Sequence, residues 1–179
     1  MPDLSLNSRT LLQLARNAIE AYLSTGRHLV FQTDLPHLTA KRGCFVTLRK
    51  TGKLRGCVGT FDAREPLYQN IIRMAPAASC QDSRFPPVTK EELPFIRIEL
   101  SVLGELEKVN SLEEIKIGKH GVYVKLDHRS GTFLPEVAVE QKWSVAEFVT
   151  YCGREKARLS PEQCTRAEIF RYEVQKFKE

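Results

Sequence analysis

Cys57 stands between two glycines in the run Leu54-Arg55-Gly56-Cys57-Val58-Gly59, with a guanidinium two positions upstream. A thiol attacks as its thiolate, and a neighbouring cation favours that form. In an extended strand, alternation places Arg55, Cys57 and Gly59 on one face and Leu54, Gly56 and Val58 on the other. Glycine weakens a strand and marks a bulge or the close approach of a ligand or another backbone. These residue types describe a nucleophilic Cys57, with Arg55 stabilising the thiolate and binding an anionic group. Gly56 and Gly59 would leave room for the substrate. The plain alternative is that free cysteine is among the most buried residue types, and most buried ones are inert. Cys44, Cys80, Cys152 and Cys164 are assigned to that inert class.

A nucleophilic cysteine normally has a base within hydrogen-bond reach. His28, His37, His120 and His128 all fall in segments read as loops, where a solvated side chain is the default, and nothing in their spacing brings one to Cys57. A second chemical group is Asp82-Ser83-Arg84-Phe85-Pro86-Pro87. Charged side chains on a proline-stiffened loop suit a binding surface on which Asp82, Arg84 and Phe85 orient a substrate. They suit equally an Asp–Arg pair that caps the preceding helix and fixes the loop. In Ser130–Val137, Pro135 followed by Glu136 reads as a strand end. There is no Gly-x-Gly-x-x-Gly, Walker loop, His-Glu-x-x-His or Gly-x-Ser-x-Gly. The histidines and cysteines lack ligand spacing, so no metal or cofactor is expected.

The elements that must position these groups follow from pattern. Asn7 and Ser8 can cap a helix to about Ser24, with Leu6 as a hydrophobic staple and Leu11, Ala15, Ala18, Ile19 and Tyr22 forming its apolar face. Cys44–Leu48 reads as a strand, Lys50–Lys53 as a tight turn, and Leu54–Thr60 as the returning strand. A two-residue loop at Thr51-Gly52 sets Val46 opposite Cys57 and Cys44 opposite Gly59. Cys44 and Cys57 then become diagonal neighbours on one face, roughly 7–8 Å apart, close enough for one thiol to tune the other. Pro66 opens a helix that Pro76 should kink or end. Phe95–Leu103 alternates as a half-buried strand, and Ser111 caps a short helix. Gly121–Leu126 and Gly131–Leu134 form a second hairpin around Asp127–Ser130. Ser144 and Glu147 make a capping box for a helix through about Lys156, Ser160-Pro161 opens another short turn, and Ile169–Phe177 alternates as a final strand. The hairpins require antiparallel pairing, so the fold class is α+β, or mixed α/β, rather than a doubly wound parallel sheet.

Composition is that of an ordinary globular chain: 179 residues, 42% apolar and 27% charged. That length fits one domain spanning residues 1–179, with room for a smaller subdomain. The net charge of +5 leans toward anionic partners, but the 27 basic residues are dispersed among 22 acids without a like-charge run, which makes a nucleic-acid stripe the weaker reading. No run approaches the roughly 18 apolar residues of a membrane span, and Met1-Pro2-Asp3-Leu4 lacks the regions of a signal peptide. Five cysteines without Cys-x-x-Cys fit a reducing compartment. A cytoplasmic location is expected.

Several runs in this order resemble the AMMECR domain family across nearly the whole chain. They are Arg42–Leu48, Leu54–Gly59, Pro66-Leu67, Ala77-Ala78, Asp82-x-Arg84-Phe85-Pro86-Pro87-Val88, Ile98–Leu103, Gly118-x-x-Gly121, and Phe133-Leu134-Pro135-x-Val137 leading to Trp143-Ser144. Two departures are visible: the family's usual Lys-Ala-Gly-Leu after the Cys152 helix reads Lys156-Ala157-Arg158-Leu159 here, and the tryptophan that tends to follow is absent, with Gln163-Cys164 near its place. The resemblance implies a larger part with a largely antiparallel sheet flanked by helices, a smaller part, and a cleft between them. It also implies a modification pathway shared with Memo-like and radical-SAM proteins. Three functions follow as expectations: an enzyme or enzyme component using Cys57, with Arg55 at the thiolate and Asp82 and Arg84 orienting a small anionic substrate; a non-catalytic module for RNA or a protein partner; or a hexapeptide that is purely architectural.

Overall fold

A computed structural model describes residues 8–61 and 63–179. The expected cap and staple at Asn7 and Leu6 lie outside the described residues. The chain divides into two compact units, one running to Leu103 and including Gln175–Glu179, the other Gly104–Val174.

The first unit is built from α1 (Ser8–Thr25), α2 (Pro36–Thr39), β1 (Cys44–Lys50), β2 (Lys53–Thr60), α3 (Leu67–Cys80) and β3 (Ile96–Leu103). β1 pairs antiparallel with both β2 and β3, and β2 ends the strand order. Alternation along β1 buries Cys44, Val46 and Leu48, and along β3 it buries Ile96, Ile98, Leu100 and Val102. On these pack Leu11, Ala15, Ala18 and Ile19 of α1 and Ile71, Ile72, Ala75 and Ala78 of α3, making one apolar cluster. The other face of β1 carries Phe45, Thr47 and Arg49.

The β1–β2 turn is the tight one expected: Lys50 pairs with Lys53, and Thr51 and Gly52 both have positive φ, 49° and 79°. That combination is the type I′ turn whose twist matches a hairpin. The register beyond it differs from the expected one. Arg49 pairs with Leu54 but Leu48 pairs with Gly56, leaving Arg55 as an extra residue in β2. This β-bulge sets Thr47, not Val46, opposite Cys57, and Thr60, not Gly59, opposite Cys44. Cys44 is therefore in the core while Cys57 shares the other face with Thr47. The two thiols are not neighbours on one face, because one inserted residue inverts every side chain after it.

Pro76 neither ends nor interrupts α3, which continues four residues to Cys80. Proline removes the N–H that would bond the carbonyl four residues earlier, here Ile72. That carbonyl lies 3.3 Å from Nδ1 of His28, so the imidazole supplies the donor that the helix lacks.

The second unit contains β4 (Glu107–Lys108), β5 (His120–Leu126), β6 (Arg129–Phe133), α4 (Pro135–Gln141), α5 (Val145–Tyr151), α6 (Pro161–Cys164) and the first part of β7 (Glu168–Lys178). β5 pairs antiparallel with β6 and β7, and β4 with β7. The residues of β7 from Gln175 belong to the first unit, where Glu179 N–H reaches the Ile98 carbonyl. Capping boxes form at Ser111, Ser144 and Ser160, as their spacing requires. Pro135 opens α4 rather than closing a strand; its missing N–H costs nothing at a first helical position. After Tyr151 the helix widens into a π turn, Cys152–Lys156. The class is mixed α+β with antiparallel pairing, and among the described residues no helix is long and apolar enough to cross a membrane.

Because the imidazole replaces a donor that Pro76 lacks, His28→Ala should cost about 1 kcal/mol in a wild-type background and nearly nothing when Pro76 is already alanine. Urea denaturation of the four proteins of this cycle checks it.

Candidate functional site

As the bulged residue, Arg55 is held by its side chain. Its Nε donates to Glu92 Oε1 at 2.8 Å and its Nη2 to Oε2 at 3.0 Å, with both side chains 13% exposed. Nη2 also lies 3.4 Å from the Pro87 carbonyl. Lys50 Nζ reaches the same Glu92 oxygen at 3.0 Å. The Arg55 hydrogen bond, then that of Lys50, outweighs burial and draws the Glu92 carboxyl down to about 2. The hydrogen bonds of Arg55 thus go to Glu92 and the Pro87 carbonyl and not to the thiol of Cys57.

The cation near Cys57 comes from a different segment. Because β2 ends the strand order, the Cys57 peptide faces outward, and the loop after α3 completes it. Asp82 Oδ2 accepts the Cys57 N–H at 2.8 Å, and Arg84 Nη2 lies 3.3 Å from the Cys57 carbonyl oxygen as donor. The pair is also closed on itself: Arg84 gives Asp82 its Nη2–H at 2.6 Å, its Nε–H at 2.9 Å and its own backbone N–H at 3.2 Å. The Asp82 side chain is 6% exposed and that of Arg84 56%. The Arg84 hydrogen bond holds the Asp82 carboxyl far below the usual carboxylate range, opposed by burial and aided by the Cys57 and Arg84 amides. With four donors, Asp82 is an anchor and not a proton acceptor. Arg84 in turn is raised above its ordinary value chiefly by the Asp82 hydrogen bond, with Cys57 contributing last. Its guanidinium carbon lies 5.5 Å from the centre of the Phe85 ring, a cation–π support.

Of the two readings of the Asp82–Phe85 loop, the pair does fix the loop, but onto the edge of β2; the end of α3 is closed instead by the Gln81 N–H on the Ala77 carbonyl. Gly56 and Gly59 both stand where a side chain would collide with its surroundings. A Cβ at Gly56 would lie 2.1 Å from the Ala78 carbonyl oxygen of α3, and one at Gly59 would lie 2.3 Å from the Phe45 ring. Phe45 in turn meets Phe61 edge-on at 5.4 Å. What remains is the thiol itself, half-buried, with Sγ 3.2 Å from Thr47 Oγ1.

Two of the other four thiols differ from Cys57 in burial and two share its half-buried state. Cys44 and Cys152 are buried, and burial pushes both up to about 12. Cys80 and Cys164 are half-buried, and Cys80 Sγ lies 3.3 Å from Ser79 Oγ. No histidine is hydrogen-bonded to Cys57 among the described residues. His28 serves Ile72, His37 lies in α2, His128 lies in the β5–β6 turn, and His120 opens β5, buried rather than solvated in a loop. Among the described residues no group of three His, Cys, Asp or Glu side chains could hold a metal ion.

The AMMECR1 family model matches residues 12–177. The chain belongs to the AMMECR1 family. It is 38% identical to Protein MK0488 of Methanopyrus kandleri, over 94% of this chain and 86% of that one, and 39% identical to a protein of Methanosarcina acetivorans, over 96% and 90%. The crystal structure of the uncharacterized protein PH0010 from Pyrococcus horikoshii superposes with a TM-score of 0.85 at 34% identity, covering 96% of this chain and 91% of that one. The departure from the AMMECR1 Lys-Ala-Gly-Leu run has a physical reading. The π turn closes with the Leu159 N–H on the Gly153 carbonyl, and Arg158 between them has φ 55°, a left-handed position that glycine occupies without penalty.

Asp82 and Glu92 make stability depend on acid. Both carboxyls are lowered on folding, so their contribution is present above the unfolded values, 3.8 and 4.5, and is lost as pH falls toward the folded ones. Asp82→Asn should therefore cost about 2 kcal/mol at pH 7, and the gap to wild type should shrink as pH falls below about 4. Urea denaturation across that range measures it.

Proposed function

We propose that Cys57 is the reactive centre of a cysteine-dependent enzyme, or enzyme component, and that Arg84 binds the anionic group of its substrate. The observation that carries this reading is the position of the thiol. Arg55, Gly56 and Gly59 each have a structural task, whereas the Cys57 side chain is turned away from the core with the Thr47 hydroxyl beside it. Arg84 spends Nε and Nη2 on Asp82 and the Cys57 carbonyl, which leaves Nη1 for a ligand. Asp82 orients that guanidinium and Phe85 supports it.

Among the described residues no imidazole or free carboxylate is bonded to the thiol, so its proton leaves to water. The sulfur then adds to a carbonyl carbon of a small anionic substrate, the C=O π bond breaks to leave its electron pair on oxygen, and that oxygen takes a proton from water. Arg84 attracts both the substrate and the thiolate. Arg55 acts through the backbone by holding the bulge. Action beside Memo-like and radical-SAM proteins in a modification pathway belongs to the same proposal and rests on the family resemblance.

Iodoacetamide labelling followed by peptide mass analysis tests the reading. Cys57 should label faster than Cys80, Cys164 and a free model thiol at neutral pH, and Arg84→Gln should slow it by roughly three- to tenfold. Labelling of Cys57 no faster than the model thiol would sink the proposal.

A further inference from the structure

The second unit holds a polar cavity of about 240 Å³ lined by Glu107, Lys116, Lys119, His120, Arg171 and Glu173, together with Tyr172. His120 is 5% exposed and is fixed at two points. Its backbone N–H bonds the Lys116 carbonyl at 2.9 Å, and its Nδ1 accepts the Lys116 N–H at 3.1 Å. An Nδ1 that accepts places the proton on Nε2. The nearest carboxylate to that donor, Glu173 Oε1 on the paired strand, is 3.9 Å away, beyond a hydrogen bond.

The surrounding charges favour an anion. Three cations face two carboxylates. Arg171 is bound to Glu107 and to the Glu114 carbonyl, and Lys119 to Glu173. Lys116 has no ion-pair partner among the described residues. We infer that this cavity is an oxyanion site, in which the Nε2–H of His120 and the ammonium groups of Lys116 and Lys119 hold a phosphate, free or as the end of a small phosphate monoester. It is independent of Cys57: its residues all lie in Gly104–Val174, and Cys57 lies in the other unit.

Two probes, inorganic phosphate and glycerol phosphate, separate the sources of that chemistry. Titration calorimetry of the full chain should give saturable binding with a Kd of about 1 mM or tighter, and tighter binding of the ester would assign the site to a monoester. His120→Asn keeps an acceptor for the Lys116 N–H, while its shorter amide does not reach the Nε2 position, and should weaken binding at least about tenfold. Lys116→Met removes an ammonium that no fold contact uses, and should weaken binding roughly three- to tenfold if His120→Asn fails to fold. No saturable binding of either probe, or binding unchanged in these variants, overturns the inference.

Discussion

Inserting Arg55 as an extra residue in β2 reverses the face that every later residue of that strand presents. Without it, Cys57 would stand opposite Val46 and point into the core; with it, Cys57 stands opposite Thr47 on the other face. Gly56 consequently turns toward α3, where only a residue without a side chain fits beneath the Ala78 carbonyl. The bulge is held by a two-point ion pair to Glu92, which Lys50 shares. A bulge leaves its extra residue out of the ladder, and here that residue is fixed through its side chain instead.

The edge of β2 poses a second physical problem, since an outward-facing peptide invites pairing with another chain. Here the Asp82 carboxylate takes the N–H of Cys57 and the Arg84 guanidinium faces its carbonyl. One ion pair thereby covers the edge, orders the proline-stiffened loop and places a charge near the thiol. These combined tasks explain why Asp82 is almost fully buried while its partner is more than half exposed.

Local signals are legible in the sequence. The Thr51-Gly52 turn, the three serine caps and the alternation of β3 and β7 are short-range features whose physics lies within a few residues. The hexapeptide and the Asp82–Phe85 loop are also legible as places of interest. Their geometry is not, because it depends on contacts between distant segments. The bulge needs Glu92, 37 residues from Arg55; the continuous α3 needs His28, 44 residues from Ile72. Likewise the burial of His120 follows from its pairing with Glu173 on β7, which no loop-like run around it discloses.

The register of the β1–β2 hairpin is the most direct test of this account, and nuclear Overhauser contacts between α-protons measure it. The bulge predicts close contacts for Thr47 with Cys57 and Phe45 with Gly59, as α-carbons of such outward-facing pairs lie about 4.5 Å apart. A contact joining Val46 to Cys57 would contradict it, for the thiol would then face the core.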